Sequence, residues 1–334
     1  MTDTSADTPS IIERTKSVAA GVPVIAVHFI GDTAVFVLAE AALLFAGKDG
    51  ERRITVHGGG ILESAGNGRL IATAGDDGKV MLVSADGTAT EIASDAKHRW
   101  IDHVALAADG ATAWSIGKQA FARTAKGEEK SIDLPSSAGG LAFAPKGFRL
   151  AIAHYNGASL WFPNAAAKPE FREWKGSHIG VTFTPDGRFL VTAMQEPTLH
   201  GWRLADDKHM RMSGYNAKVK SLSWTPGGKW LATSGSTQLI LWPFSSKDGP
   251  MGKQPQLLAP RDRKVVAVAS HPVQEVVAVG FDDGMVVLVR IEDGAEVLAR
   301  APDEDAVAAL AWSGRGNLLA FGTENGAAGI LDLT

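Results

Sequence analysis

The chain has 334 residues, 33 Lys and Arg against 37 Asp and Glu, a formal net charge of −4 and a pI near 6.1, so it carries no basic footprint for nucleic acid. With no cysteine it forms no disulfide, thiolate metal site or cysteine nucleophile. No apolar run approaches the roughly 20 residues needed to cross a bilayer as a helix, so no membrane partner is expected, and 45% hydrophobic content is ample for a large core.

In chain order, residues 1–10 lack the basic and apolar regions of a secretory leader and read as a disordered tail. A cytoplasmic location is expected. Ile11–Val18 is a short run with no partner nearby in sequence. From there short apolar runs alternate with turn signals. The first unit (24–57, centred on Phe29) and the third (101–134, Leu106, then Ala108-Asp109-Gly110) are weakly marked. The second has Ser64, then Leu70–Thr73, Asp76-Asp77-Gly78 and Val80–Val83. The fourth has Phe143, Pro145-Lys146-Gly147, Leu150–Ala153, Asn156-Gly157 and Leu160–Phe162. The fifth has Phe183, Pro185-Asp186-Gly187 and Leu190–Ala193. The sixth has Trp224, Pro226-Gly227-Gly228, Trp230–Thr233 and Leu239–Trp242. The seventh has Ser270, Val276–Val279, Asp282-Asp283-Gly284 and Val286–Val289. The last has Trp312, Gly314-Arg315-Gly316, Leu318–Phe321 and Asn325-Gly326.

Runs of branched and aromatic residues cut by Pro and Gly are antiparallel strands, and Asp-Gly or Asn-Gly supplies the positive φ that tight hairpins need. One such meander cannot bury both faces alone, so it must stack on copies of itself. The markers recur about every 40 residues, the period of four-stranded propeller blades. The expected fold is all-β, a single propeller over residues 11–334 with eight blades, seven being the alternative because the first and third units are weak. The last unit ends after its third strand, so residues 11–18 are expected to close the ring as its outer strand.

The segments LIATAGDDGKVMLV (70–83), VVAVGFDDGMVVLV (276–289), LAFAPKG (141–147) and VTFTPDG (181–187) resemble the WD40-repeat family of β-propellers. The resemblance covers nearly the whole chain and is degenerate, since no Trp-Asp or Gly-His dipeptide occurs. In the family a His before strand one, a Ser or Thr in strand two, a hairpin Asp and a strand-three Trp form a hydrogen-bonded set, and no repeat here keeps all four. The resemblance implies a non-catalytic scaffold or complex subunit that binds a protein partner.

The residues themselves carry no phosphate loop, zinc helix or nucleophile elbow. The expected reading is therefore no enzyme and no cofactor. Aromatic and arginine side chains anchor interfaces. Arg99, Trp100, Tyr155, Tyr215, Arg261 and Arg263 fall by register in connections of one face and are the candidate partner-binding residues. Arg261 to Lys264 and Asp303 to Asp305 enter adjacent blades with opposite charge, read either as ion pairs between blades or as a polar binding rim. His57, His98 and His178 precede blades two, three and five; they are either a converging metal site or separate structural histidines. The alternative function is an enzyme or a small-ligand or metal binder using the central channel, for which only His28 and His103 lie on first strands.

Overall fold

A computed structural model describes residues 10–334. The tail expected over residues 1–10 lies, apart from Ser10, outside the described residues. The chain divides into two compact units. One runs to Leu38, takes Leu44–Arg52 and resumes at Lys220–Thr334; the other holds Ala39–Leu43 and Arg53–Val219.

In the first unit, Leu222–Trp224, Trp230–Thr233, Leu239–Pro243 and Gln256–Leu258 form a sheet, as do Val265–Ser270, Val276–Phe281, Val286–Arg290 and Glu296–Arg300. The C-terminal sheet orders Val307–Trp312, Leu318–Thr323 and Ala328–Asp332, with Thr15–Val18 as its fourth strand. In the second unit, Ile61–Gly66, Leu70–Gly75, Lys79–Ser84 and Ala89–Ser94 form one sheet. His103–Leu106, Thr112–Ile116, Gln119–Arg123 and Glu129–Asp133 form the next. The N-terminal sheet is Val24–Ile30, Thr33–Leu38, Ala42–Gly47 and Gly50–Thr55, so both weakly marked repeats build full sheets. Every sheet is antiparallel with neighbours in chain order, apart from the N-terminal strand of the last. The fold is that of an all-β propeller.

The expectation of eight separate four-stranded blades is corrected. Counted as hydrogen-bonded sheets there are seven, the alternative number, and one of them has six strands. That sheet carries the fourth and fifth repeats together: Gly140–Phe143, Leu150–Trp161, Glu170–Phe183, Phe189–Met194, Leu199–Arg203 and His209–Met212. Glu170–Phe183 is the shared strand. Its first half pairs with Leu150–Trp161 up to Tyr155↔Ser177, and past an irregularity between His178 and Gly180 its second half pairs with Phe189–Met194. Gly176, at φ +122°, lies within the shared strand where it passes from one partner to the other.

The N-terminal segment pairs as expected but over a shorter stretch. Thr15 to Val18 pair with Leu331 to Ala328, covering an edge that would otherwise be open. Ile12–Arg14 is a 3-10 turn rather than strand. Ser10 bridges Leu298 in parallel, and the Ile11 amide donates to the Leu298 carbonyl at 3.0 Å. Residues 10–18 therefore touch two successive sheets.

The core lies between successive repeats. Ala232, Leu239 and Leu241 pack with Val277, Val279, Phe281 and Val289 between the sixth and seventh repeats. Ala151, Ala158 and Leu160 pack with Phe183, Leu190 and Trp202 between the fourth and fifth. Full burial of each Leu or Phe contributes about 1.5–3 kcal/mol. The close approach has a backbone condition: a Cβ on Gly280 would stand 2.6 Å from Cγ1 of Val307 on the next sheet.

Candidate interaction surface

The connection from Asp95 to His103 joins the second and third sheets. Its geometry follows from one carboxylate. Asp95 accepts the Lys97 amide at 3.1 Å and the Arg99 amide at 2.9 Å, while the Arg99 guanidinium donates to it at 2.7 and 3.2 Å. These bonds, with Arg99 the largest cause, hold the Asp95 carboxyl well below the usual carboxylate range. His98 takes positive φ (51°), and the Ile101 amide donates to the Gly75 carbonyl at 3.2 Å while the Ile101 side chain is fully buried. Trp100 stands between these fixed points with 63% of its surface exposed. A rigid mount for an exposed indole lowers the ordering cost that a contact must overcome.

Tyr155, 56% exposed, lies in the strand Leu150–Trp161 beside Asn156 and Gly157, which both take positive φ. Its amide donates to Ser136 Oγ at 2.9 Å, and His154 bonds Ser159 Oγ at 2.9 Å. Tyr215 is only partly buried, in the connection that leads to the sixth repeat.

The arginine candidates serve differently. Arg99 is committed to Asp95. Arg261 pairs with Glu296, and Arg263 pairs with Glu304 at 2.6 Å and lies 3.9 Å from Asp283. The ion-pair reading of the Arg261 to Lys264 stretch is the observed one. Asp305 takes no part in it; it accepts the Thr323 hydroxyl at 2.6 Å and the Asn325 amide at 2.9 Å inside its own sheet.

The three histidines offered as metal ligands do not converge. His57 bonds Thr73 Oγ1 at 2.8 Å and Asp77 Oδ1 at 3.0 Å, so both ring nitrogens are occupied within the second repeat. His98 bonds the Asp77 carbonyl at 3.3 Å. His178 bonds Thr192 Oγ1 at 2.7 Å and the Trp174 carbonyl at 2.9 Å. Among the described residues no group of three or more His, Asp or Glu has a metal-binding arrangement. His28 and His103 lie on first strands as expected, and His103 is bonded to Glu63 at 2.8 Å.

Two features escape the sequence reading. His200 is fully buried, stacks on Trp174 at 3.9 Å between centroids, and leaves both ring nitrogens without a partner among the described residues. Burial, with His209, His178 and Arg211 adding like charge, pushes its pKa down to about 3. The second is a groove of about 680 Å³ between the seventh and last sheets. It lies beside the turns at His271 and Arg315, which carry no motif beyond turn glycines.

A family model of the WD domain, G-beta repeat, matches residues 207–243, and one of the Anaphase-promoting complex subunit 4 WD40 domain matches residues 268–334. Protein ANTHESIS POMOTING FACTOR 1 of Arabidopsis thaliana is 29% identical over 82 residues, 24% of this chain and 24% of that protein. WD repeat-containing protein 1-B of Xenopus laevis is 28% identical over 108 residues, 29% of this chain and 18% of that protein. The chain thus matches a quarter or less of the length of these relatives. The crystal structure of the computationally designed Ika8 protein superposes with a TM-score of 0.70 at 15% identity, over 93% of this chain and 96% of that one, a likeness of fold. Repeated four-stranded meanders make the fold a β-propeller, and the two family models support its being of the WD40-repeat type.

Proposed function

We propose that this protein is an interaction scaffold, or a subunit of a complex, that engages a protein partner through Trp100 and Tyr155. The carrying observation is the exposure of two large aromatic side chains, one on a connection and one in a strand, whose backbones are pinned by hydrogen bonds. Desolvating such a side chain against a partner is what makes Trp and Tyr binding hot spots, each worth roughly 2 kcal/mol or more on truncation. Arg99 acts as a positioning residue, because its guanidinium holds the loop that carries Trp100.

The test is affinity capture from the source cells with wild type and with the Trp100→Ala/Tyr155→Ala double variant, both shown folded by their melting curves. A defined protein held by wild type and reduced at least about tenfold by the variant is the expected result. Equal recovery by both proteins overturns the assignment of the surface. Arg99→Ala should weaken the same partner less than Trp100→Ala does, since it loosens the mount and leaves the contact.

A further inference from the structure

The groove between the seventh and last sheets is an unfilled end of their shared core. Its floor is apolar: Val276, Leu288, Val297, Trp312 and Leu333 line it, and Val273 stands at its lip 68% exposed. The same cluster is closed further in by small side chains, among them Ala267, Ala269, Ala278 and Ala299.

The wall is held rigid by one histidine that joins the two sheets. His271 Nδ1 accepts the Val273 amide at 3.1 Å and the Gln274 amide at 2.9 Å, which leaves Nε2–H to donate to the Gly316 carbonyl at 3.0 Å. The ring also meets Trp312 edge-on at 4.8 Å, and the Trp312 indole donates to the Ala269 carbonyl at 3.0 Å. Gly316 has φ +75°, and a Cβ there would fall 2.1 Å from His271 Nε2, so only glycine allows this contact. The Leu333 amide donates to the Asn317 carbonyl at 2.8 Å and fixes the opposite end.

The charge on the rim is not balanced. Arg290 is bonded to Asp293 at 2.6 and 2.8 Å, and Glu296 is paired with Arg261. Arg315 is exposed and pairs with no carboxylate among the described residues, although its backbone is pinned through Gly316. The unspent rim charge is therefore one cation next to an apolar floor.

We propose that this groove docks an extended segment of a partner protein that sets a large apolar side chain on Trp312 and Leu333 and a carboxylate on Arg315. Complementary charge beside a preformed apolar groove supplies register as well as contact. The inference adds a second surface to the scaffold reading and rests on its premise that the chain binds protein, but it needs neither Trp100 nor Tyr155.

The experiment pans a displayed random dodecamer library on the full chain, then measures binding of labelled synthetic peptides by fluorescence polarisation. The probes are an enriched peptide and its Glu→Gln and Glu→Lys forms. Enrichment of large apolar residues next to Asp or Glu is expected. Arg315→Glu should weaken the acidic peptide at least about tenfold and restore binding of its Glu→Lys form. Trp100→Ala should leave both affinities unchanged, so that failure here and failure of the Trp100 surface are separable. No enrichment of an apolar-acidic pattern, or an affinity unmoved by Arg315→Glu, overturns the proposal. Val273→Ser is the second variant; it lies on an exposed turn and should weaken the same peptide without affecting the melting curve.

Discussion

The second and fifth repeats place a threonine at the same point of their second strands and bond it to a histidine, but differ in what stands opposite it. In the second, His57 spans Thr73 and Asp77, and both its nitrogens are satisfied. Burial pushes the Asp77 carboxyl up, but hydrogen bonds from Gly58, His57 and Lys79 hold it below the usual range. In the fifth, His178 bonds Thr192, but the residue opposite Thr192 across the hairpin is His200, where the second repeat has Met81. Among the described residues His200 has no partner for either nitrogen, and it is held by stacking on Trp174 and by an edge contact to Trp202 at 4.7 Å. The threonine is thus bonded to a histidine in both repeats, while the position opposite it holds Met81 in one and a histidine packed on Trp174 in the other. A buried polar group that has partners stabilises, while one without costs desolvation.

The largest expected effect tests the hydrogen-bonded arrangement. His57→Ala leaves the buried Thr73 hydroxyl unpaired and should cost about 2–3 kcal/mol, read from the urea midpoint. A cost under about 0.5 kcal/mol would mean that the polar set does not hold the repeat together.

The next tests the stacked arrangement by pH. His200 has its folded pKa lowered from the ordinary value of 6.5 to about 3. The unfolded chain therefore takes up the proton first, so the stability due to neutral His200 is complete above about 6.5 and is lost as pH falls toward about 3. His200→Met removes a buried group that has no partner. It should change stability at pH 7 by less than about 1 kcal/mol and make the acid limb of the stability profile shallower. An unchanged acid limb would leave the acid sensitivity to other groups whose pKa values the fold lowers, among them His28, His154, His178, His271 and Asp77.

The smallest effect belongs to the charged connections of the other unit. Arg263 and Glu304 are both substantially exposed, and Arg263→Ala should cost under about 1 kcal/mol in a thermal melt. A larger loss would show that this pair holds the connection as firmly as Asp95 holds the Trp100 loop.

Much of the architecture was legible because strand and turn chemistry are local. Asp76-Asp77-Gly78 announces a hairpin through the φ it requires, and that turn is present; Asn156 and Gly157 take the expected positive φ inside the strand Leu150–Trp161. Buried Trp161, Trp202 and Trp242 sit where the repeat register puts them. The exposure of Trp100 could be suspected from its place before a strand, yet the same residue would serve equally in a core. The commitment of Arg261 and Arg263 to carboxylates was one of two open readings, since a charge run does not specify its partner.

The sequence by itself determined the strand-turn repeat, its period and the pairing of the N-terminal segment with the last repeat, because hydrophobic alternation and turn residues act over a few neighbouring positions. Only the tertiary structure decided the rest. The fourth and fifth repeats share one sheet because backbone pairing continues through Tyr155 and Ser177, a register that no single residue encodes. His57 and His178 are structural because Thr73 and Thr192 meet them across strands. Arg315 is left with unspent charge beside an apolar groove, while Asp293 is paired with Arg290, Glu296 with Arg261, and Asp332 is bonded by Thr334. Those outcomes depend on which side chains the packed sheets bring within bonding distance, and sequence spacing does not carry that information.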